Sequence, residues 1–218
     1  MNKNLTDLIF VLDMSGSMYG LTDDTIGGFN SMIDKQKKED GEVVVTTALF
    51  NDKVKFIHDR FDINDVKPMD DRQYVAGGCT ALLDAVGTAI QKEVAVQRNL
   101  PETSRAEKVI FVIITDGYEN ASREYSYNDI KKMIESEQEK NGWEFMFLGA
   151  NIDAASEGAK IGIRRDRSVR YKSDSEGTAL NYNVVGETVA RMRSMKCGEV
   201  LSDEWMAPIE EDVKKRGL

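Results

Sequence analysis

A chain of 218 residues, 41% hydrophobic and 31% charged, is long enough for one sizeable core and has the composition of a soluble globular protein. Its net charge of −9 argues against DNA or RNA as a main partner and suits cations or a basic protein face. No apolar run approaches the roughly 18 residues needed to cross a bilayer, and "MNKNLTDLIF" does not read as a signal peptide. The only cysteines, Cys79 and Cys197, are too few for a disulfide framework, so a cytoplasmic protein is expected.

Leu8–Leu12, an unbroken apolar run, predicts a strand buried on both faces. A helix over 22–38 follows, with Ile26, Phe29 and Ile33 on one side. Gly27 and Gly28 weaken it and mark a possible close approach of another segment. "EVVVTTALF" (42–50) and "KVKFIHDRF" (53–61) predict an antiparallel hairpin at a sheet edge, with His58 exposed on it. Residues 81–97 predict a helix with Leu82, Val86 and Ile90 aligned. "KVIFVIIT" (108–115) is the most hydrophobic run and the natural centre of a parallel sheet.

Asn128 is the expected cap of a helix that closes at Gly142. "WEFMFLG" (143–149) predicts another strand, then come a short helix over 153–161 capped by Asn151 or Asp153 (the alternative for both being the rim of the crevice at the strand ends), a small strand near Val169–Tyr171, and a helix over about 177–195. This alternation predicts a doubly wound, Rossmann-like α/β sandwich, mostly parallel with an antiparallel edge strand. Residues 1–196 are expected to form one domain. In the tail, 197–218, Pro208 starts a helical turn, and Trp205 and Ile209 are expected to pack back on the body. A docking peptide for another protein is the alternative reading of that tail.

Oxygen-bearing side chains gather where such a sheet keeps its ligands, beyond the carboxyl ends of the strands. Asp13, Ser15 and Ser17 follow the first strand. Asp116 follows the central one. Between them "GGCTALLDAV" places Thr80 at the mouth of a helix, after two glycines that let the backbone turn sharply. Two carboxylates and three hydroxyls on three loops are a hard-oxygen set suited to a small divalent cation. Each loop taken alone would read as local Ser and Asp capping of backbone groups.

With Asp-x-Ser-x-Ser in "DMSGS", then Gly-Gly-x-Thr, then a strand ending Thr-Asp-Gly, the chain resembles von Willebrand factor type A domains from about Leu5 to Met195. "FNSMIDKQKKEDGEVVVTTALFND" and "FLGANIDA" are similar to the small intracellular A-domain proteins of bacteria and their phages. The resemblance implies a metal-ion-dependent adhesion site. In it Ser15, Ser17 and Thr80 hold Mg²⁺ or Mn²⁺, and Asp13 and Asp116 act directly or through water. A Glu or Asp of a partner protein fills the open position. Tyr118 stands after Gly117 where many relatives carry an acidic residue, which leaves open whether Glu119 or Asn120 orients the site.

Cys79, beside Thr80, reads as a semi-buried inert thiol, with a redox-sensitive neighbour of the metal as the alternative. Three functions are weighed. The first is a metal-dependent protein-binding module. The second is a Mg²⁺-dependent phosphoryl-transfer enzyme with Asp13 as nucleophile, which lacks the second Asp expected at the position of Ser15 and any acid–base pair. The third is a structural or virion-associated protein whose metal only stabilises the loops. The first is preferred, without catalysis, nucleic acid or membrane.

Overall fold

Six strands, β1 (Asn2–Asp13), β2 (Glu42–Phe50), β3 (Val54–Asp62), β4 (Ala106–Thr115), β5 (Glu144–Ala150) and β6 (Ser168–Tyr171), form one sheet in the order β3-β2-β1-β4-β5-β6. The structure is a computed structural model and describes residues 1–196 and 198–217; Cys197 and Leu218, at the two ends of the expected tail, lie outside the described residues. Every neighbouring pair is parallel except β2 and β3, whose hairpin forms one edge. β1, with its Leu8–Leu12 run, and β4 lie side by side at the centre, where both faces are covered and a continuous apolar run is at its best.

Alternation along β1 divides the core in two. Leu8, Phe10 and Leu12 point to one layer of helices, α1 (Thr22–Gln36), α5 (Ser175–Ser194) and α6 (Ala207–Lys215), and share one core cluster with Phe29, Val185 and Ile209. Ile9 and Val11 point to the other layer, α2 (Leu82–Asn99), α3 (Tyr127–Asn141) and α4 (Ala154–Lys160), and share the other cluster with Val86, Ile130 and Ala154. Trp205, in the 3₁₀ turn before α6, and Ile209 are buried in the first layer, and the Trp205 indole donates to the Asp166 carbonyl at 3.0 Å. Pro208 lies in the first turn of α6, where a missing N–H costs nothing.

Helix ends are tied by side chains from far along the chain. Arg193 of α5 donates to the carbonyls of Gln36 and Asp40 at 2.9 Å each, closing the end of α1. Lys108 of β4 in turn donates to the carbonyls of Met192, Arg193 and Met195 at the end of α5. Burial lowers the Lys108 ammonium pKa and the Arg193 guanidinium pKa, and the carbonyls offset that cost.

Three local expectations are corrected. The cap of α3 is Ser126, not Asn128: the Ser126 hydroxyl accepts the Asp129 N–H at 3.3 Å and the Asp129 carboxylate accepts the Ser126 N–H at 3.0 Å, a reciprocal pair that Asn128 could not make. Gly142 closes that helix at φ +64°, as expected of a left-handed glycine. His58 is buried, not exposed, because α1 covers this face of the edge strand. Its ring stacks on Phe29 with centroids 6.2 Å apart and its Nδ1 meets the Thr47 hydroxyl at 3.1 Å. Burial pushes the His58 pKa down.

Cys79 is exposed rather than semi-buried. Gly78, at φ +81°, turns the segment so that Thr80 goes in and Cys79 goes out. Of the two glycines in α1, Gly28 does mark a close approach, since the Tyr182 ring of α5 lies where its Cβ would be; Gly27 has nothing within 4 Å.

Candidate metal centre

The order of the strands reverses between β1 and β4, and the crevice at their carboxyl ends is the switch point of the sheet. Asp13 is the last residue of β1 and Asp116 follows the last residue of β4. The chain leaves β1 through a 3₁₀ turn, Gly16–Leu21, that keeps Ser15 and Ser17 over the strand end.

The Ser15 N–H donates to Asp13 Oδ1 at 2.7 Å, the Ser15 and Ser17 hydroxyls lie 3.1 Å apart, and Ser17 Oγ donates to Asp116 Oδ1 at 2.5 Å. The loop before α2 is stitched to the first loop by Gly77 N to Met14 O, 2.9 Å, and Gly16 N to Gly78 O, 3.1 Å. It is stitched to the third by Asn120, whose N–H donates to the Thr80 carbonyl at 3.0 Å and whose Oδ1 accepts the Thr80 N–H at 2.9 Å. Asp13, Ser15, Ser17 and Asp116 are thus joined through their side chains, and Thr80 is carried on a loop stitched to both of theirs. Asp13, Ser15, Thr80 and Asp116 are each less than 5% exposed, and Ser17 is open to solvent.

Other residues support these five. Thr115, the end of β4, donates its hydroxyl to Asp13 Oδ2 at 2.6 Å, and the buried Tyr74 hydroxyl donates to the Asp13 carbonyl at 2.5 Å. Thr115 had two signals, its place in Thr-Asp-Gly and a hydroxyl at the end of an otherwise apolar run. Glu119 and Asn120 both tie the third loop to the segment around Thr80. Glu119 accepts N–H groups of Leu83, Ala121 and Ser122, so it pins the third loop to the start of α2. Asp84 completes the clamp by accepting N–H groups of Arg123, Glu124 and Tyr125. Asp153 caps α4 through the Ser156 N–H at 3.1 Å, and Asn151 stands exposed at φ +56° before it.

The electrostatics favour a cation. Asp13 and Asp116 are carboxylates withdrawn from water, and among the described residues neither has a Lys or Arg in ion-pair contact. Burial pushes the carboxyls of both upward; hydrogen bonds from Thr115 and Ser15 hold Asp13 back, and one from Ser17 holds back Asp116. A buried negative pair without counter-charge is costly unless something positive joins it. The donor set of hydroxyl and carboxylate oxygens fits Mg²⁺ or Mn²⁺. Among the described residues no group of three or more His, Cys, Asp and Glu side chains is placed to hold a metal, so a site here depends on its hydroxyls.

No protein-family model and no curated protein matches the chain. Solved structures do. The von Willebrand factor domain of the type V pilus tip protein Mfa5 from Porphyromonas gingivalis superposes with a TM-score of 0.59 at 12% identity, over 90% of this chain and 98% of that one. Manganese-loaded Plasmodium vivax TRAP protein gives 0.56 at 18% identity, over 82% and 72%. Proximal thread matrix protein 1 from the mussel byssus, with a zinc-occupied MIDAS motif, gives 0.56 at 18%, over 85% and 46%. This chain spans about half the length of the mussel protein. These likenesses establish a von Willebrand factor type A fold, with a mostly parallel six-stranded sheet flanked by helices and one antiparallel edge.

Proposed function

We propose that the chain is a divalent-metal-dependent protein-binding module. The observation that carries this reading is the pair Asp13 and Asp116, buried at the ends of adjacent strands with no cationic partner among the described residues and with the Ser15 and Ser17 hydroxyls beside them. In this proposal Ser15, Ser17 and Thr80 hold Mg²⁺ or Mn²⁺, with Asp13 and Asp116 completing the set directly or through water. When bound, the ion supplies a Lewis-acidic position for an oxygen ligand from outside.

Neutral hydroxyls leave most of the ion's charge unquenched, so a Glu or Asp of a partner protein is the ligand it would draw. The manganese named for the TRAP structure and the zinc-occupied MIDAS motif named for the mussel structure support a divalent ion in a fold of this kind. A binding role without catalysis belongs to the same proposal: Ser15 stands where a phosphoryl-transfer enzyme would need a second Asp, and His58 is enclosed against Phe29. Residence in the cytoplasm of a bacterium or a phage-infected cell is also part of it, supported by the exposed free thiol of Cys79.

Calorimetric titration of Mg²⁺ and Mn²⁺ into the native chain and into Asp13→Ala, with circular dichroism to check folding, tests the reading. The native chain is expected to take up about one ion, and the folded variant none. A folded native chain that takes up neither ion at millimolar concentration would overturn it and leave a metal-free structural role.

A further inference from the structure

Large apolar side chains are exposed at few places on this molecule, and half of those few surround the candidate metal centre. Among the described residues the exposed large hydrophobics are Met1, Tyr19, Phe61, Val75, Tyr118 and Val200. Tyr19 lies two residues after Ser17, Val75 five before Thr80, and Tyr118 two after Asp116. Each of the three loops that build the centre thus carries one, while Phe61 stands on β3, Met1 precedes β1 and Val200 follows α5.

Their placement brackets the site. Val75 belongs to the segment held by Asn51, whose Nδ2 donates to the Gly77 carbonyl at 2.8 Å, so it stands on the β2 side. Tyr118 stands on the β5 side, near Lys160 and Asp153. Tyr19 rides on the 3₁₀ turn, Gly16–Leu21, above β1. Tyr19 and Val75 are 78% and 61% exposed, although the backbone that carries them is hydrogen-bonded into the site. Exposed aromatic side chains on held loops around a polar centre are the anatomy of a recognition surface, in which an apolar rim excludes water from the central contact.

The charge outside this rim is negative on the β2 side and mixed on the β5 side, where Lys160 lies near Asp153 and Tyr118. Asp52 and Asp153 are exposed on the β2 and β5 sides and make no ion pair among the described residues, in a chain of net charge −9. One carboxylate over the metal centre is therefore favourable, and a second beside it on the β2 side would meet like charge.

We infer that Tyr19, Val75 and Tyr118 form the specificity rim of this site, and that the partner is a protein loop or terminus with one carboxylate set among apolar side chains. This inference rests on the metal-dependent reading above. The apolar flanks remove rim surface from water, and the water they exclude strengthens the central ionic contact. An acidic run would meet the unpaired Asp52 on the β2 side in a chain of net charge −9.

The test uses three labelled nine-residue peptides with a central Glu, flanked by Leu and Phe, by Ser, or by Asp. Their binding to the full chain is followed by fluorescence polarisation with Mn²⁺ and with EDTA, and Mn²⁺ uptake is measured separately by calorimetry. The expected result is binding with Mn²⁺ only, with the Leu/Phe peptide about tenfold or more tighter than the Ser peptide, and the Asp peptide weakest. In the double variant Tyr19→Ser/Tyr118→Ser that preference should fall to near one while Mn²⁺ uptake persists. Equal binding of the Leu/Phe and Ser peptides, or no peptide binding by a chain that takes up Mn²⁺, overturns the rim. Absence of Mn²⁺ uptake overturns the metal reading beneath it.

Discussion

Thr115 holds Asp13. Its hydroxyl donates to Asp13 Oδ2 at 2.6 Å while the Ser15 N–H takes Oδ1 at 2.7 Å, so both oxygens of this buried carboxylate are already engaged by the chain. In the proposed site this favours a role for Asp13 through water, and leaves the ion short of direct anionic ligands. Thr115→Val keeps the shape and removes the donor. The expected cost is about 1–3 kcal/mol of folding stability in urea denaturation, with weaker Mg²⁺ uptake by calorimetry. An unchanged midpoint would deny the bond its role.

A second group of charges lies at the other end of β1. Arg60, held at φ +54° in a bulge of β3, reaches Asp7 at 2.5 Å and Glu93 of α2 at 3.4 Å, and Gln97 donates to Glu93 at 2.6 Å. Burial, and then the neighbouring Asp7 carboxylate, push the Glu93 carboxyl up to about 8. A carboxyl whose pKa is raised on folding stabilises fully below its unfolded value, near 4.5, and loses that contribution as the pH rises through about 8. Glu93→Gln should therefore flatten this loss. Urea midpoints compared at about pH 5 and pH 9 should fall for the native chain and fall less for the variant.

The adjacent glycines of α1 give opposite expectations for one substitution. Gly27→Ala meets open space and should stabilise by about 0.5–1 kcal/mol through helix propensity. Gly28→Ala drives a methyl group into the Tyr182 ring and should destabilise by about 1–3 kcal/mol despite the same propensity gain. Thermal or urea melts of the two variants decide it by sign.

Asp84 accepts three successive backbone N–H groups from the loop that carries Asp116. Asp84→Ala should leave the sheet intact and speed amide hydrogen exchange at Arg123, Glu124 and Tyr125, with reduced Mg²⁺ uptake. Exchange as slow as in the native chain would mean that Glu119 alone suffices as the clamp.

Much of the fold was legible because the strongest signals are local. β1, β2 and β4 are apolar runs that no half-exposed element could carry, and the alternation with helices leaves few ways to cover both faces of a parallel sheet. The motif residues were legible for a related reason: Asp13, Ser15 and Ser17 share one tight turn, and Thr80 and Asp116 each end a recognisable segment. His58 failed because its exposure depends on α1, whose Phe29 comes 29 positions earlier. The cap of α3 was misplaced by two residues, since Ser126 and Asn128 are both good caps and only the return bond from Asp129 separates them.

By itself the sequence determined the kinds of element, their order, and which residues would bring oxygen to one end of the sheet, because hydrophobic period and turn chemistry act over a few residues. The tertiary structure alone decided what surrounds those oxygens. Thr115 on Asp13, Asn120 on Thr80, Arg60 between Asp7 and Glu93, and the absence of a cation beside Asp13 and Asp116 among the described residues all join segments far apart in the chain. Such contacts depend on strand order and register, and no local pattern encodes them.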